Sequence, residues 1–444
     1  MKTEREEYID IIESLDGDVE GRRYALELIG SSDVTAHGDP VRFPYVPYLF
    51  SQDDVDFLSS QAEIAHGILC KVIRRYLDDP EYRKLFGFPP EVERLILLPC
   101  GYDQLLPIGR FDLFMDERTR DYKFCEFNTD GSGAMSRDFE IGQALMHGRT
   151  FGEFSSRHKV EQFELFDSWV ETFMRIYRQD PCAVENPTVC VTDFRESGVF
   201  SDFNRFIQAF ERAGVPARFV DIRDLEFDGK HLRDRNDGQR IDAVYRRAVT
   251  SEVVQHEGEC NGLIEAMLEG SVCVIGHFRT TVAHSKMVNV ALFDESRNDF
   301  LTEGERNFVD AHLPKTYPFT SQMRNPKISD VLDDKNSWIL KPMDDYGSHG
   351  VYPGVSFDSA EWEQIANEKL DSGYVVQEYC KPPKVRIVDS ETDSSHPCEV
   401  QEWESMPGFF IYDGKLAGFY CRLGRGGVIS LDNGGLCSAS FLVR

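Results

Sequence analysis

Glu126 and Asn128 stand two residues apart at the end of the run Tyr122–Asn128, YKFCEFN. As a strand, this run has a period of two that sets both side chains on one face and Phe127 on the other. A carboxylate and an amide oxygen side by side can hold a hard cation such as Mg²⁺, which takes oxygen ligands and shares them with phosphate. A solvated strand end before a turn is the competing reading. The turn that follows, Thr129–Ser136 (TDGSGAMS), has small residues and two glycines that let backbone N–H groups approach an anion, although an ordinary glycine turn has the same make-up.

A second place is Trp338–Gly350, WILKPMDDYGSHG. Lys341, at the end of an apolar strand, can set a point charge on phosphates while a loop with Gly347, Ser348 and Gly350 closes over them. Asp345 could supply the cation's second carboxylate. The lysine precedes the glycines, so this is no Walker A loop; an exposed hairpin tip remains the alternative. A third place is Tyr374–Pro382, YVVQEYCKP, a buried strand that breaks at Lys381-Pro382. Backbone groups at its end suit an adenine edge, with Glu378 near enough to bond a ribose or an amine. An interior strand with a polar exit fits the same residues.

These places need elements to position them. Apolar residues at three- and four-residue intervals predict a helix over Val55–Tyr76, packed on a sheet. Arg94–Cys100, Arg110–Asp116 and Tyr122–Asn128 read as strands, the last two as a hairpin. A long amphipathic helix is expected over Lys159–Tyr177. From PTVCVTD to SVCVIG, strand-like and helix-like runs alternate, with helices over Asp202–Gly214 and Asn261–Leu268, the pattern of a small open α/β domain with a parallel sheet. Beyond Glu303 come a helix to His312, the strand Trp338–Met343, a helix over Ala360–Leu370 and the strand Tyr374–Cys380. The texture then turns antiparallel, with Cys398–Glu404, Phe409–Arg422 turning at Asp413-Gly414, and Val428–Gly435. Val388–Pro397 reads as an exposed loop. The division expected is 1–180, 181–300 and 301–444.

The chain has 444 residues, 77 acidic against 49 basic, a net charge of −28, 41% hydrophobic residues and 12% aromatics. This is the make-up of a folded globular protein with a sizeable core. Its charge opposes a phosphate backbone and no basic tract occurs, which argues against nucleic acid as a partner. No secretory h-region and no run long enough to cross a bilayer is present, so a soluble, cytoplasmic protein without membrane contact is expected. Eleven scattered cysteines, without C-x-x-C or H-x-x-x-H, read as reduced core residues rather than a zinc site.

The three places in this order resemble those of the eukaryotic-type glutathione synthases and, more loosely, the glutathionylspermidine synthases, ATP-grasp ligases with permuted connectivity. Glu126-Phe127-Asn128-Thr129 resembles the E-x-N-T magnesium element of that family, and Lys341-Pro342 with Asp345 its K-P-x-x-E loop, with aspartate for glutamate. Tyr346 and His349 interrupt the three consecutive glycines of the family loop. Lys286, in VAHSKMVN, is similar to the first ATP lysine, with a surface helix charge as its competing reading. Gln377-Glu378-Tyr379 resembles the adenine hinge, Arg110 a substrate-orienting arginine, and Arg422 a phosphate-side arginine that could equally be a structural ion pair. Thr129 and Ser132 lie where the family touches its peptide substrate. Gly434-Gly435 resembles part of the C-terminal substrate loop.

The resemblance implies an α/β chain with an ATP-grasp fold, α+β in its C-terminal part, and an inserted small parallel-sheet substrate domain. It implies ATP with Mg²⁺, two ions, and an ADP-forming ligase that joins a small-molecule carboxylate to an amine, with a homodimer as a possible assembly. Arg110, Lys341 and Arg422 would be catalytic. Lys286, Lys341, Gly347, Ser348, Gly350, Gln377, Glu378 and Tyr379 would bind the nucleotide, Glu126, Asn128 and Asp345 the metal, and Arg110, Thr129 and Ser132 the substrate. A nucleotide-binding module without catalysis is the first rival, and a hydrolase built on Glu126, Asp130 and Asp138 the second. Substrate-facing residues fall in loops, where specificity varies on a shared scaffold.

Overall fold

A computed structural model describes residues 3–36, 38–344, 350–391 and 396–444. Alternation along the strands builds its central feature, an antiparallel sheet ordered Leu436–Ser438, Lys415–Gly424, Val400–Tyr412, Ile108–Met115, Tyr122–Asn128, with Lys384–Val388 also paired to Val400–Tyr412. Phe111, Phe409 and Phe419 turn to one face, where they meet Leu58, Ala62, Leu69, Val72 and Tyr76 of the helix Gln52–Asp78. The intervening residues, Arg110, Asp112, Asn128, Tyr420 and Arg422, take the opposite face, which is where the polar chemistry collects. The hairpin turns at Asp413-Gly414, both with positive φ (46° and 85°), as a tight two-residue connection requires.

A second antiparallel sheet, ordered Thr316–Pro318, Tyr374–Glu378, Trp338–Pro342, Tyr352–Pro353, stands across a cleft from the first. Leu340 and Val376 pack under Trp362 and Ala366 of the helix Ser359–Lys369, so the alternate residues Ile339, Lys341 and Gln377 face the cleft. The third sheet is parallel throughout, ordered Cys273–Ile275, Ala243–Arg246, Val189–Asp193, Ala217–Asp221. Its strands are buried on both faces: Val189, Val191 and Tyr245 against Phe203, Phe206 and Trp169, and Cys190, Val244 and Val274 against Leu263 and Ile264. Asp193 and Arg247, at or just past its carboxyl ends, line the same basin as the polar face of the central sheet. A fourth, three-stranded sheet seats Ser440–Val443 between Tyr48–Ser51 and Val160–Gln162.

Three expectations for elements fail. Arg94–Cys100 is no strand: Pro90 opens a helix, Pro90–Ile96, with Glu91 and Glu93 in its first turn and Val92, Leu95 and Ile96 buried at helical spacing. Lys159–Tyr177 is not one helix. Val160–Gln162 is held as an edge strand by Phe441–Val443, and the helix Asp167–Tyr177 starts only after Glu164, whose carboxylate accepts the N–H groups of Phe166, Asp167 and Ser168 at 2.7–2.8 Å. Val428–Gly435 forms a single 3₁₀ turn at Leu431–Asn433 that ends on Gly434 in the left-handed region, instead of a strand. Of the loop expected over Val388–Pro397, residues 392–395 lie outside the described residues. Among the described residues no helix is long and apolar enough to cross a membrane.

Candidate active site

Register brings the polar face of the central sheet into one cluster. Arg110 pairs across the hairpin with Asn128, Asp112 with Glu126, and Gly408 of the next strand with Asp112. Asp112, which is fully buried, is the hub. Its carboxylate takes two hydrogen bonds from Arg110 (2.8 and 3.0 Å), one from the Asn128 amide (2.7 Å) and one from Arg422. The two arginines also lie over the Tyr420 ring, at 5.1 and 5.6 Å from its centre. A Cβ at position 408 would fall inside the Asp112 carboxylate, so this strand needs glycine there.

Glu126 lines both the cleft between the sheets and the basin beyond it. Burial pushes its carboxyl up, but Lys286, Arg422, Lys341 and Arg110 together outweigh burial and hold it well below the usual carboxylate range. Glu126 is therefore an anion whose countercharges come from four separate elements. Lys341 is buried, with Nζ 3.5 Å from the Cys125 carbonyl. Lys286 is buried as well, contrary to a surface helix charge, and its N–H donates to the Met343 carbonyl at 3.0 Å. The Ser285 hydroxyl donates to the same carbonyl, at 3.2 Å, so the root of the loop after Lys341 is tied to the segment that bears Lys286. Asp345, Gly347 and Ser348 lie outside the described residues; Gly350 is described, with φ +65°.

The rest of the cleft is a largely apolar slot. Phe114, Phe124, Ile339, Val351, Met406 and Ile429 line it, and Gln377, Glu378 and Tyr379 edge it. The Gln377 amide donates to the Thr316 hydroxyl at 2.8 Å, and the N–H groups of Glu378 and Tyr379 are committed to the Lys315 and Ser337 carbonyls. These donors hold the second sheet together, and Cys380 follows them in the cleft wall.

The basin is walled by the turn after Asn128 and by the parallel sheet. Two N–H groups of the turn are engaged within the protein: those of Ala134 and Ser136 donate to the buried Asp202 carboxylate, each at 2.8 Å, and Arg247 completes that ion pair. Gly131 has φ +69°, and a Cβ there would strike the Arg247 carbonyl. Asp130 joins the same frame through Arg246 (2.5 Å), the Thr250 N–H (2.7 Å) and the Thr281 hydroxyl (3.0 Å). The Thr129 hydroxyl donates to the Thr280 carbonyl at 2.8 Å and that of Ser132 to the Asn128 carbonyl, so both are engaged by backbone, although Ser132 lines the basin. Asp193 is at the basin wall, its carboxyl pushed up to about 7 by burial against the pull of Arg247.

The structure thus brings Arg110, Glu126, Asn128, Lys286, Lys341, Gln377, Glu378, Tyr379 and Arg422 to one continuous cleft and basin. Sequence reading missed Asp112, Asp202 and Arg247. The first had a signal, since Arg110-Phe111-Asp112 alternates like Glu126-Phe127-Asn128; the other two are placed by tertiary packing. Among the described residues no group of three or more His, Cys, Asp or Glu residues suits a metal ion. The Asn128 amide nitrogen donates to Asp112 at 2.7 Å and lies 3.4 Å from a Glu126 carboxylate oxygen, so Glu126 is the carboxylate of this face that is not already occupied by guanidinium bonds.

The family model described as glutathionylspermidine synthase preATP-grasp matches residues 30–431. The chain belongs to that family. No curated protein matches it. Among solved structures, this glutathionylspermidine synthase preATP-grasp family member is similar to a glutathione synthetase-like effector from Globodera pallida in apo form. The two are 13% identical, 97% of each chain is covered, and the TM-score is 0.57, a likeness of fold. A putative gamma-glutamylcysteine synthetase from Methylobacillus flagellatus KT matches at 11% identity over 83% of this chain and 84% of that one, with a TM-score of 0.38.

Proposed function

We propose that this protein is an ADP-forming carboxylate–amine ligase of the glutathionylspermidine synthase type. The observation that carries the reading is the convergence of Lys286 and Lys341, from two separate elements, on Glu126 at the junction between an apolar slot and a polar basin. A purine fits the slot, and its phosphates would meet the two buried ammonium groups, which neutralise charge as the γ-phosphoryl moves. Glu126, with Asn128 beside it, would hold Mg²⁺, which would supply further neutralisation of the phosphates.

On the basin side, Arg110 and Arg422 are fixed by Asp112 and Tyr420, so they orient a substrate carboxylate without reorganisation when it arrives. A carboxylate oxygen attacks the γ-phosphorus and ADP leaves; an amine nitrogen then attacks the acyl carbon and phosphate leaves. Neither step needs a protein nucleophile. The two-sheet walls keep water from the acyl phosphate.

The test is ADP release from ATP and Mg²⁺ against a matrix of carboxylates and amines, glutathione and spermidine among them. ADP that appears only with a carboxylate and rises with an amine supports the ligase. Nucleotide binding by calorimetry with no carboxylate-dependent ADP would favour a module without catalysis.

A further inference from the structure

His284 is the one histidine that lines the polar basin, and nothing in the ligase reading uses it. It ends the short helix Thr281–His284 two residues before Lys286 and is half-buried. Its Nδ1 lies 3.3 Å from the Phe127 carbonyl. A carbonyl oxygen can only accept, so Nδ1 carries the hydrogen. In a neutral imidazole the lone pair is then on Nε2, the ring atom opposite. Phe127 belongs to a strand of the central sheet, so this bond fixes the ring against that strand at the basin wall. Glu126, Asp130, Asp193, Glu252 and Asp432, with Arg110, Arg137, Arg247 and Arg422, are the other charged groups on the surrounding walls.

We infer that His284 Nε2 accepts the proton from the amine nitrogen as the amide bond forms. This rests on the ligase reading and adds to it the base that the second step requires. The amine nitrogen bonds the acyl carbon, the acyl C–O bond breaks, and phosphate leaves with the electron pair. The nitrogen's proton passes to Nε2 and from there to the departing phosphate, which returns the imidazole to its neutral form. The Glu126 carboxylate is unsuited to this role because lysine and arginine partners hold it as an anion, and that of Asp112 because its oxygens are occupied by Arg110, Asn128 and Arg422.

Hydroxylamine separates the two steps. It is neutral near pH 7, and its adduct sheds a proton to water, so it traps an acyl phosphate as the hydroxamate without help from a base. With glutathione as the probe carboxylate, wild type and His284→Asn should form hydroxamate and ADP at rates within about threefold of each other. With spermidine as the nucleophile, the variant should fall by about 10²–10³-fold, the usual worth of a positioned base. Equal losses in both assays would mean that His284 only supports the fold and would overturn the proposal. ¹⁵N NMR of histidine-labelled protein, with the variant to assign the signal, reads the tautomer independently of any substrate: an Nε2–H ring overturns it as well. If wild type gives neither product with any carboxylate of the matrix, the ligase reading falls first, and that failure is recognisable because the tautomer measurement stands apart from it.

Discussion

Asp112 touches more of the site than any residue with a predicted role. Its carboxylate accepts from Arg110, Asn128 and Arg422 in a place water does not reach, so removing the charge strands two guanidinium groups. Asp112→Asn should lower unfolding free energy by about 3–5 kcal/mol, as when one partner of a buried ion pair is lost; a denaturant titration checks this. Lys341 is different. Its Nζ makes two long contacts, to the Cys125 carbonyl (3.5 Å) and to the Cys125 Sγ (3.9 Å), and its charge bears on Glu126. Lys341→Ala should leave the melting temperature within a few degrees of wild type and lower carboxylate-dependent ADP formation by about 100-fold or more. Unaltered turnover in the folded variant would remove Lys341 from the site.

Alternation within strands, read from the sequence, put Glu126 and Asn128 on one face and Lys341 at the end of an apolar run, and the sheets bear out both placements. The same rule applied one strand earlier would have found Asp112, two residues after Arg110 and opposite Glu126. What was not legible depended on partners distant in sequence. Val160–Gln162 is a strand because Phe441–Val443 lies beside it, and the glycine turn after Asn128 is held by Asp202 and Arg247, from an element and a strand end far along the chain. Gly408 is a further case of an element shaped by a neighbour. Gly408→Ala should press on the Asp112 carboxylate and the Tyr420 carbonyl and reduce stability by about 1–3 kcal/mol. A parallel assay should show a weaker grip on the substrate carboxylate, since Arg110 moves with Asp112; a variant with wild-type stability would show that the strand can give way.

At the level of the whole molecule, stability should depend on one carboxyl that lines neither the cleft nor the basin. Asp138 is buried beneath the strand Ser440–Val443, with one oxygen held by the Ser440 hydroxyl at 2.7 Å and the other without a partner. Burial pushes it from its ordinary 3.8 up to about 8. Because the folded value is the higher one, its contribution is fully present below pH 3.8 and is lost as pH rises to about 8. Across that window the difference in unfolding free energy between wild type and Asp138→Asn should change by about 1.4 kcal/mol per pH unit against wild type as pH rises. A difference that stays flat from pH 4 to 8 would refute it. The serine that meets Asp138 belongs to the middle strand of a sheet whose other two strands lie near the opposite end of the sequence and in its first half. A ribosome delivers those outer strands long before the one that joins them. Until Ser440–Val443 leaves the exit tunnel, Tyr48–Ser51 and Val160–Gln162 lack the strand that joins them, and their unpaired edges are open to neighbouring chains.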